Sequence, residues 1–249
     1  MKKILVLVTL IAVAVFFFNG CDEDPASPIE APRNLNVIAK TDGITLTVSW
    51  AKSLTEDEED GIDGYVIEFD GVEIDDVASG TLEFDYEPTS LGTFSVFAYR
   101  DEDESDKVSV STTLAEHQDI TLASWTGTDP SSIGWTRSSG MYTLYSTIGA
   151  NAPDIDLVYD SRDLTLNSGD VIFDAGDNPN ATWIALDDGS GIVPAEGNYQ
   201  NFREMVVGQA YVLWLNDDYY VQFEVTNITG EDIMVNCGFQ LLEGYTRIE

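Results

Sequence analysis

Residues 44–50 read Ile44-Thr45-Leu46-Thr47-Val48-Ser49-Trp50, and their order decides the fold class. Large apolar side chains fall at every second position, with small hydroxylated ones between them. Successive side chains of an extended chain point to opposite faces, so this stretch offers one apolar and one wet face of a sheet. Outward from it, Tyr65, Ile67 and Phe69 repeat the pattern, then Leu82, Phe84 and Tyr86, then Phe94, Val96 and Ala98. Asp42-Gly43 and Asp70-Gly71 supply turn chemistry between the runs. No window of about a dozen residues carries a 3.6-residue apolar period. The chain reads as all-β.

Five segments fix the first unit: Pro32-Arg33-Asn34-Leu35-Asn36-Val37, the run ending in Ser49-Trp50, Asp63-Gly64-Tyr65-Val66-Ile67, Leu91 to Tyr99, and Glu104-Ser105 before Val108-Ser109-Val110. Together they resemble a fibronectin type III domain spanning residues 31–113. The resemblance implies a β-sandwich that serves as spacer or binding platform, and fold alone assigns no chemistry. Phe94 departs from it, standing where such domains carry a tyrosine whose hydroxyl ties down a corner. That hydrogen bond is absent or supplied elsewhere. The acidic loops Glu56–Asp63 and Asp101–Asp106 would lie at one end of this sandwich. Their carboxylates, Asp57, Asp60, Asp63, Asp101 and Asp103 among them, either remain solvated or share a calcium ion, which takes six to eight oxygen ligands. Neither loop is an EF-hand, because Asp106 and Thr112 occupy the positions of its glycine and its bidentate glutamate.

A second unit covers residues 118–249. Gln209–Asn216, Tyr219–Ile228 and Asp232–Leu242 read as successive strands, with Tyr219, Val221, Phe223 and Val225 on one face. Upstream, Ile155, Leu157 and Tyr159 alternate with Asp154, Asp156 and Val158. A turn at Asn167-Ser168-Gly169 precedes the strand-like Val171-Ile172-Phe173. The expectation is a second β-sandwich, jelly-roll-like. Asp154-Ile155-Asp156-Leu157 leading to Leu166-Asn167-Ser168-Gly169, and the hairpin Tyr211–Trp214 to Tyr220–Phe223, are similar to the HmuY-like lipoproteins. That resemblance implies haem capture by a histidine pair, whereas this chain has one histidine, His117, in what reads as the link between units. Met141, Met205 and Met234 are the remaining candidate iron ligands, and methionine more often fills gaps in a core. Trp214, Tyr220 and Trp183, with the loops Asp174–Asn180 and Asp187-Asp188-Gly189, are candidate sugar-stacking and hydrogen-bonding groups. The alternative is that these aromatics fill the core.

Lys2 and Lys3 precede the apolar run Ile4–Phe18, which is shorter than the roughly 20 residues a membrane span needs. A basic start, a short apolar core and Gly20 before Cys21 form an export signal over residues 1–20. Gly20-Cys21 resembles a bacterial lipoprotein signal, which implies lipid attachment at Cys21 and a place in the cell envelope, at the outer membrane. Residues 21–30 form an acidic, proline-rich tether. Losing residues 1–20 removes two lysines and no acid, so the formal charge moves from −34 to −36. No basic surface exists to displace counterions from phosphate, which excludes nucleic acid as a partner. With Cys21 lipidated, Cys237 has no disulfide partner and falls in the apolar phase of its strand. Serine or cysteine catalysis needs a base that a lone link histidine does not supply. Paired carboxylates for glycoside hydrolysis are not evidence when 45 acids are available. The sequence thus points to a lipid-anchored, non-catalytic binding, adhesion or scaffold module. Its partner is another envelope protein or a glycan.

Overall fold

The computed structural model describes residues 28–125, 127–146, 152–172 and 180–249. The export signal, Cys21, most of the tether, Phe173 and the loop from Asp174 to residue 179 lie outside them.

The first sandwich comprises β1 (Arg33–Ala39), β2 (Leu46–Ala51), β3 (Gly64–Phe69), β4 (Val72–Ala78), β5 (Glu83–Tyr86), β6 (Thr93–Arg100), β7 (Asp103–Glu104) and β8 (Val108–Ser111). One sheet runs β1-β2-β5. The other runs β4-β3-β6, and β6 pairs with both β7 and β8. This antiparallel arrangement is fibronectin type III-like. The alternation in β2 does what its sequence requires: Leu46, Val48 and Trp50 are buried and the residues between them half-buried. Phe94 is fully buried, its ring 4.8 Å from Phe69 and 6.0 Å, edge-on, from Tyr86. The polar tie comes from Tyr65 instead. Its hydroxyl accepts the Ser53 N–H at 2.9 Å and donates to the Glu56 carboxylate. The tether also ends sooner than expected, because Ile29 is buried in this core and Ser53 Oγ donates to Glu30 O at 2.6 Å.

The second sandwich comprises β9 (Ala115–Leu122), β10 (Ser132–Trp135), β11 (Tyr142–Tyr145), β12 (Leu157–Asp160), β13 (Thr165–Ser168), β14 (Thr182–Leu186), β15 (Phe202–Glu204), β16 (Ala210–Leu215), β17 (Tyr220–Thr229) and β18 (Asp232–Phe239). Its sheets run β14-β16-β17-β18-β9 and β11-β10-β12-β13-β15. The core lies between them, where Leu213, Val221, Phe223 and Val235 face Ile133, Leu157, Tyr159 and Leu166. Three expectations need correction. Asn167 and Ser168 are not a turn but the end of β13, paired with Val158 and Leu157. Val171 and Ile172 belong to a helical turn, Gly169–Ile172, that follows at once. Residues 115–117 are no link. β9 is the edge strand beside β18, with His117 opposite Cys237, because its inward residues complete the sheet.

Residues 240–249 return across both sandwiches. Tyr245 inserts into the first core and is fully buried there, beside the cluster of Val48, Tyr65 and Val96. Ile248, three residues on, is buried against Val212 and Tyr220 of the second. Thr246 donates its N–H and Oγ1 hydroxyl to Gly43 O, both at 2.8 Å, and Val193 N–H donates to Thr246 O at 2.8 Å. Arg247 donates to Thr89 O at 3.0 Å, and Leu91 N–H to Glu249 O at 3.2 Å. Gly43 is glycine for two reasons: its φ is +74°, and a Cβ there would lie 2.6 Å from Thr246 Cγ2. Buried Gln240 bridges Thr112 O and Arg247 O, which seals the crossing.

Truncating a buried aromatic side chain removes transfer energy and leaves a cavity. Tyr245→Ala should therefore destabilise the protein by about 3–5 kcal/mol in chemical denaturation, and split one unfolding transition into two. An unchanged single transition would show that the segment is an ornament. Burial also pushes the Cys237 thiol up to about 11. At pH 8 it should resist a thiol-specific label in the native protein and react at once in denaturant. Rapid native labelling would contradict its placement.

Candidate functional site

The three aromatic candidates stand side by side. Trp183 on β14 is opposite Trp214 on β16, and Trp214 is opposite Tyr220 on β17, so all three share the outer face of one sheet. The Trp214 and Tyr220 rings stack at 6.3 Å and Tyr199 meets Trp214 edge-on at 5.7 Å. Trp214 Nε1 donates to Asp218 at 3.0 Å. Trp214 and Tyr220 each lie opposite the apolar phase of their strands, where exposure is expected, yet neither is exposed. Residues 191–199 and 246–248 cover this face through the Ile192–Arg247 bridge, burying Tyr220 and half-burying Trp214. That burial also raises the Tyr220 hydroxyl above its ordinary value. Trp183 remains 42% exposed at the end of the row.

The acidic loops lie together without converging. Asp63 accepts the Asp101 N–H at 2.8 Å, and Asp57 pairs with Lys52 at 2.5 Å. Asp60 and Asp103 are exposed. Among the described residues no three such side chains are arranged to hold a metal ion. Of the calcium candidates Asp57, Asp60, Asp63, Asp101 and Asp103, Asp57 is engaged by Lys52 and Asp63 by the Asp101 amide. His117 Nε2 lies 2.9 Å from Gly140 O and its ring meets Tyr142 edge-on at 5.0 Å. The candidate sulfur ligands are dispersed, with Met141 exposed, Met205 sealed in the core and Met234 half-buried on β18.

A buried ion pair, unmarked in the sequence, anchors the outer face of the second sheet. Asp156 is almost fully buried and receives Arg137 through two parallel bonds of 2.9 Å, while its Oδ2 also accepts the Trp135 N–H at 2.9 Å. Arg137 continues to Asp217 at 2.7 Å and Trp135 O at 2.8 Å. Asp156 alternates with Ile155 and Leu157, yet both faces are covered, since Val158 and Asp160 beside it are buried too. Asp160 is held below the usual carboxylate range by Arg162, whose guanidinium lies 4.7 Å from the Trp125 ring. The only available signal was an acid between two core residues, Ile155 and Leu157.

The second unmarked feature is an open margin. Leu164, Leu186, Phe202, Val206 and Val207 are five of the eleven large apolar residues exposed among those described. They collect around the outer strands β14 and β15, whose margin is bridged by paired bonds between Ile184 and Gln200. A cleft of about 410 Å³ opens there between Leu186, Phe202 and Val206, with fully buried Tyr211 behind it. The Tyr211 hydroxyl accepts the Val206 N–H at 2.9 Å and donates to Glu204 O at 3.1 Å, fixing the loop that carries the exposed valines.

No family model matches the chain. No curated protein matches it either. Among solved structures, it is similar to one described as FN3tt mut, at 20% identity over 35% of this chain and 97% of that one, with a TM-score of 0.29. It is also similar to a DUF4466 family protein from Parabacteroides merdae ATCC 43184, at 11% identity over 86% and 99% of the two chains, with a TM-score of 0.41. A third is the central fibronectin-III array of RIM-binding protein, at 12% identity over 80% of this chain and 62% of that one, with a TM-score of 0.29. The fibronectin type III-like assignment stands on the strand order described above.

Removing one partner of a buried pair leaves an uncompensated charge, at a cost of about 3–5 kcal/mol. Asp156→Ala should lose that much stability, and Lys40→Ala, which frees the exposed Asp85, far less. Equal losses would remove the distinction drawn here between the two pairs.

Proposed function

We propose that this chain is an exported, lipid-anchored module of a bacterial cell envelope that binds or scaffolds another envelope protein without catalysing a reaction. The observation that carries this reading is the segment 240–249, which buries Tyr245 in the first sandwich and Ile248 in the second and so holds a distal surface at a fixed attitude to the anchored end. A rigid, two-part spacer is what presentation requires. Gly20-Cys21 and the acidic tether support attachment through lipid, since without residues 1–20 the chain carries a formal charge of −36 and is repelled by anionic headgroups. Among the described residues no helix is long and apolar enough to cross a membrane.

A second reading, glycan binding, is favoured by one observation: Trp183 stands open beside a sheet of polar outer residues that includes Gln222 and Glu224. On a glycan array this reading expects signal that Trp183→Ala abolishes. The leading reading expects no array signal.

Expressed from its own signal, the chain should partition into detergent-phase envelope protein and incorporate a labelled fatty acid. Cys21→Ser should do neither and remain soluble. Fatty-acid labelling that survives in Cys21→Ser, or wild-type protein in the aqueous phase, would end the anchored reading.

A further inference from the structure

We propose that the cleft at the open margin of the second sandwich binds a small amphipathic carboxylate of the fatty-acid class, with its aliphatic chain against Leu186, Phe202 and Val206 and its carboxylate on Arg203. This is a small-molecule function beyond the envelope role above, and it holds however the chain is anchored.

Three observations converge on the cleft. The first is its size and lining. A volume of about 410 Å³ falls within the roughly 300–1,000 Å³ of small-molecule sites. Phe202 is 52% and Val206 60% exposed, and with Leu186 they form its apolar walls. Apolar side chains left open in one place mark a binding site. The second is preorganisation. The Tyr211 hydroxyl holds Glu204 O and Val206 N–H at the back, and paired bonds between Ile184 and Gln200 close the backbone margin. The walls are set before a ligand arrives, which lowers the ordering cost of binding. With that backbone already bonded, recognition falls to the side chains.

The third observation selects the ligand. Arg203 is half-buried, points inward from β15 and lines the cleft. Its Nε donates to Ile184 O at 2.8 Å and its Nη2 to Asn198 O at 2.6 Å. Both bonds use one edge of the guanidinium. Nη1 and the second Nη2 hydrogen meet no protein acceptor among the described residues, and no described carboxylate forms an ion pair with Arg203. That second edge is the fork that a carboxylate accepts through two parallel bonds. Burial raises the Tyr211 hydroxyl above its ordinary value and Arg203 opposes the rise, so the cation sits near the back of the cleft.

Neighbouring carboxylates are turned elsewhere. Glu204 follows Arg203 on β15, in register with Thr165 where Arg203 is in register with Leu166, so the two side chains take opposite faces. Asp187 accepts the Gln222 amide at 2.9 Å. Repulsion from the rest of the acidic chain is screened beyond about 8 Å at physiological ionic strength. A cationic ligand would meet Arg203, and an uncharged one would leave its second edge without the charge-assisted pair.

The test uses the processed chain carrying Cys21→Ser, nitrogen-15 labelled and titrated with octanoate, octanol and acetate. Octanoate should give saturable amide shifts centred on Leu186 and residues 202–206, with octanol at least tenfold weaker and acetate silent. Arg203→Gln should bring octanoate down to the affinity of octanol. Arg203 also ties β15 to β14, so Val206→Glu, at an exposed position, supplies a second check: octanoate should weaken at least tenfold while the melting temperature holds. Four results would overturn the proposal: equal wild-type binding of octanol and octanoate, shifts centred away from the cleft, no saturable binding, or unchanged octanoate affinity in Val206→Glu. None of them touches the anchored reading, which stands or falls on Cys21-dependent labelling.

Discussion

Everything in this molecule is arranged around one side chain, Tyr245, that belongs to the second half of the sequence and lies in the core of the first sandwich. Two sandwiches joined only by residues 112–114 would tumble on a hinge. A fully buried tyrosine with Thr246 bonded to Gly43 on one side and Ile248 packed under Tyr220 on the other ties the two separate cores through one segment. The same crossing covers the aromatic row Trp214–Tyr220, so the device that makes the protein rigid also removes its most obvious sugar-binding surface. What is left open is the far margin of the second sandwich.

The charge of −34 constrains how such a structure is held together. Each of the nine described lysines and arginines has a partner. Lys40, Lys52, Lys107, Arg137 and Arg162 meet carboxylates, and Arg33, Arg100, Arg203 and Arg247 donate to backbone carbonyls. Most exposed pairs contribute little net stability. Arg137–Asp156 differs because desolvation strengthens both the attraction and the cost of losing a partner. With the described cations committed, surface carboxylates such as Asp187 and Glu204 stay unpaired by side-chain cations.

Much of the fold was legible because strand alternation is a local signal. Leu46, Val48 and Trp50 were readable as one face, and so were Val221, Phe223 and Val225, since period-2 burial needs only the neighbours in sequence. The misread elements are those whose fate depends on distant chain. Asn167 and Ser168 have turn-forming side chains, yet pairing with Val158 and Leu157 makes them strand. His117 reads as a link until β18 supplies its partner strand. Tyr220 alternates with core residues and should be exposed, but a segment nearly thirty residues later covers it. The site was less legible still. Exposure at Phe202 and Val206 follows from where two sheets end, which no pattern of residues announces.

The central claim is that residues 240–249 make one body of two sandwiches, and backbone nitrogen-15 relaxation with residual dipolar couplings tests it most directly. A single alignment tensor and one overall correlation time fitting amides of both sandwiches is the result this account requires. Separate tensors, or a shorter correlation time for residues 33–111 than for residues 115–239, would contradict it.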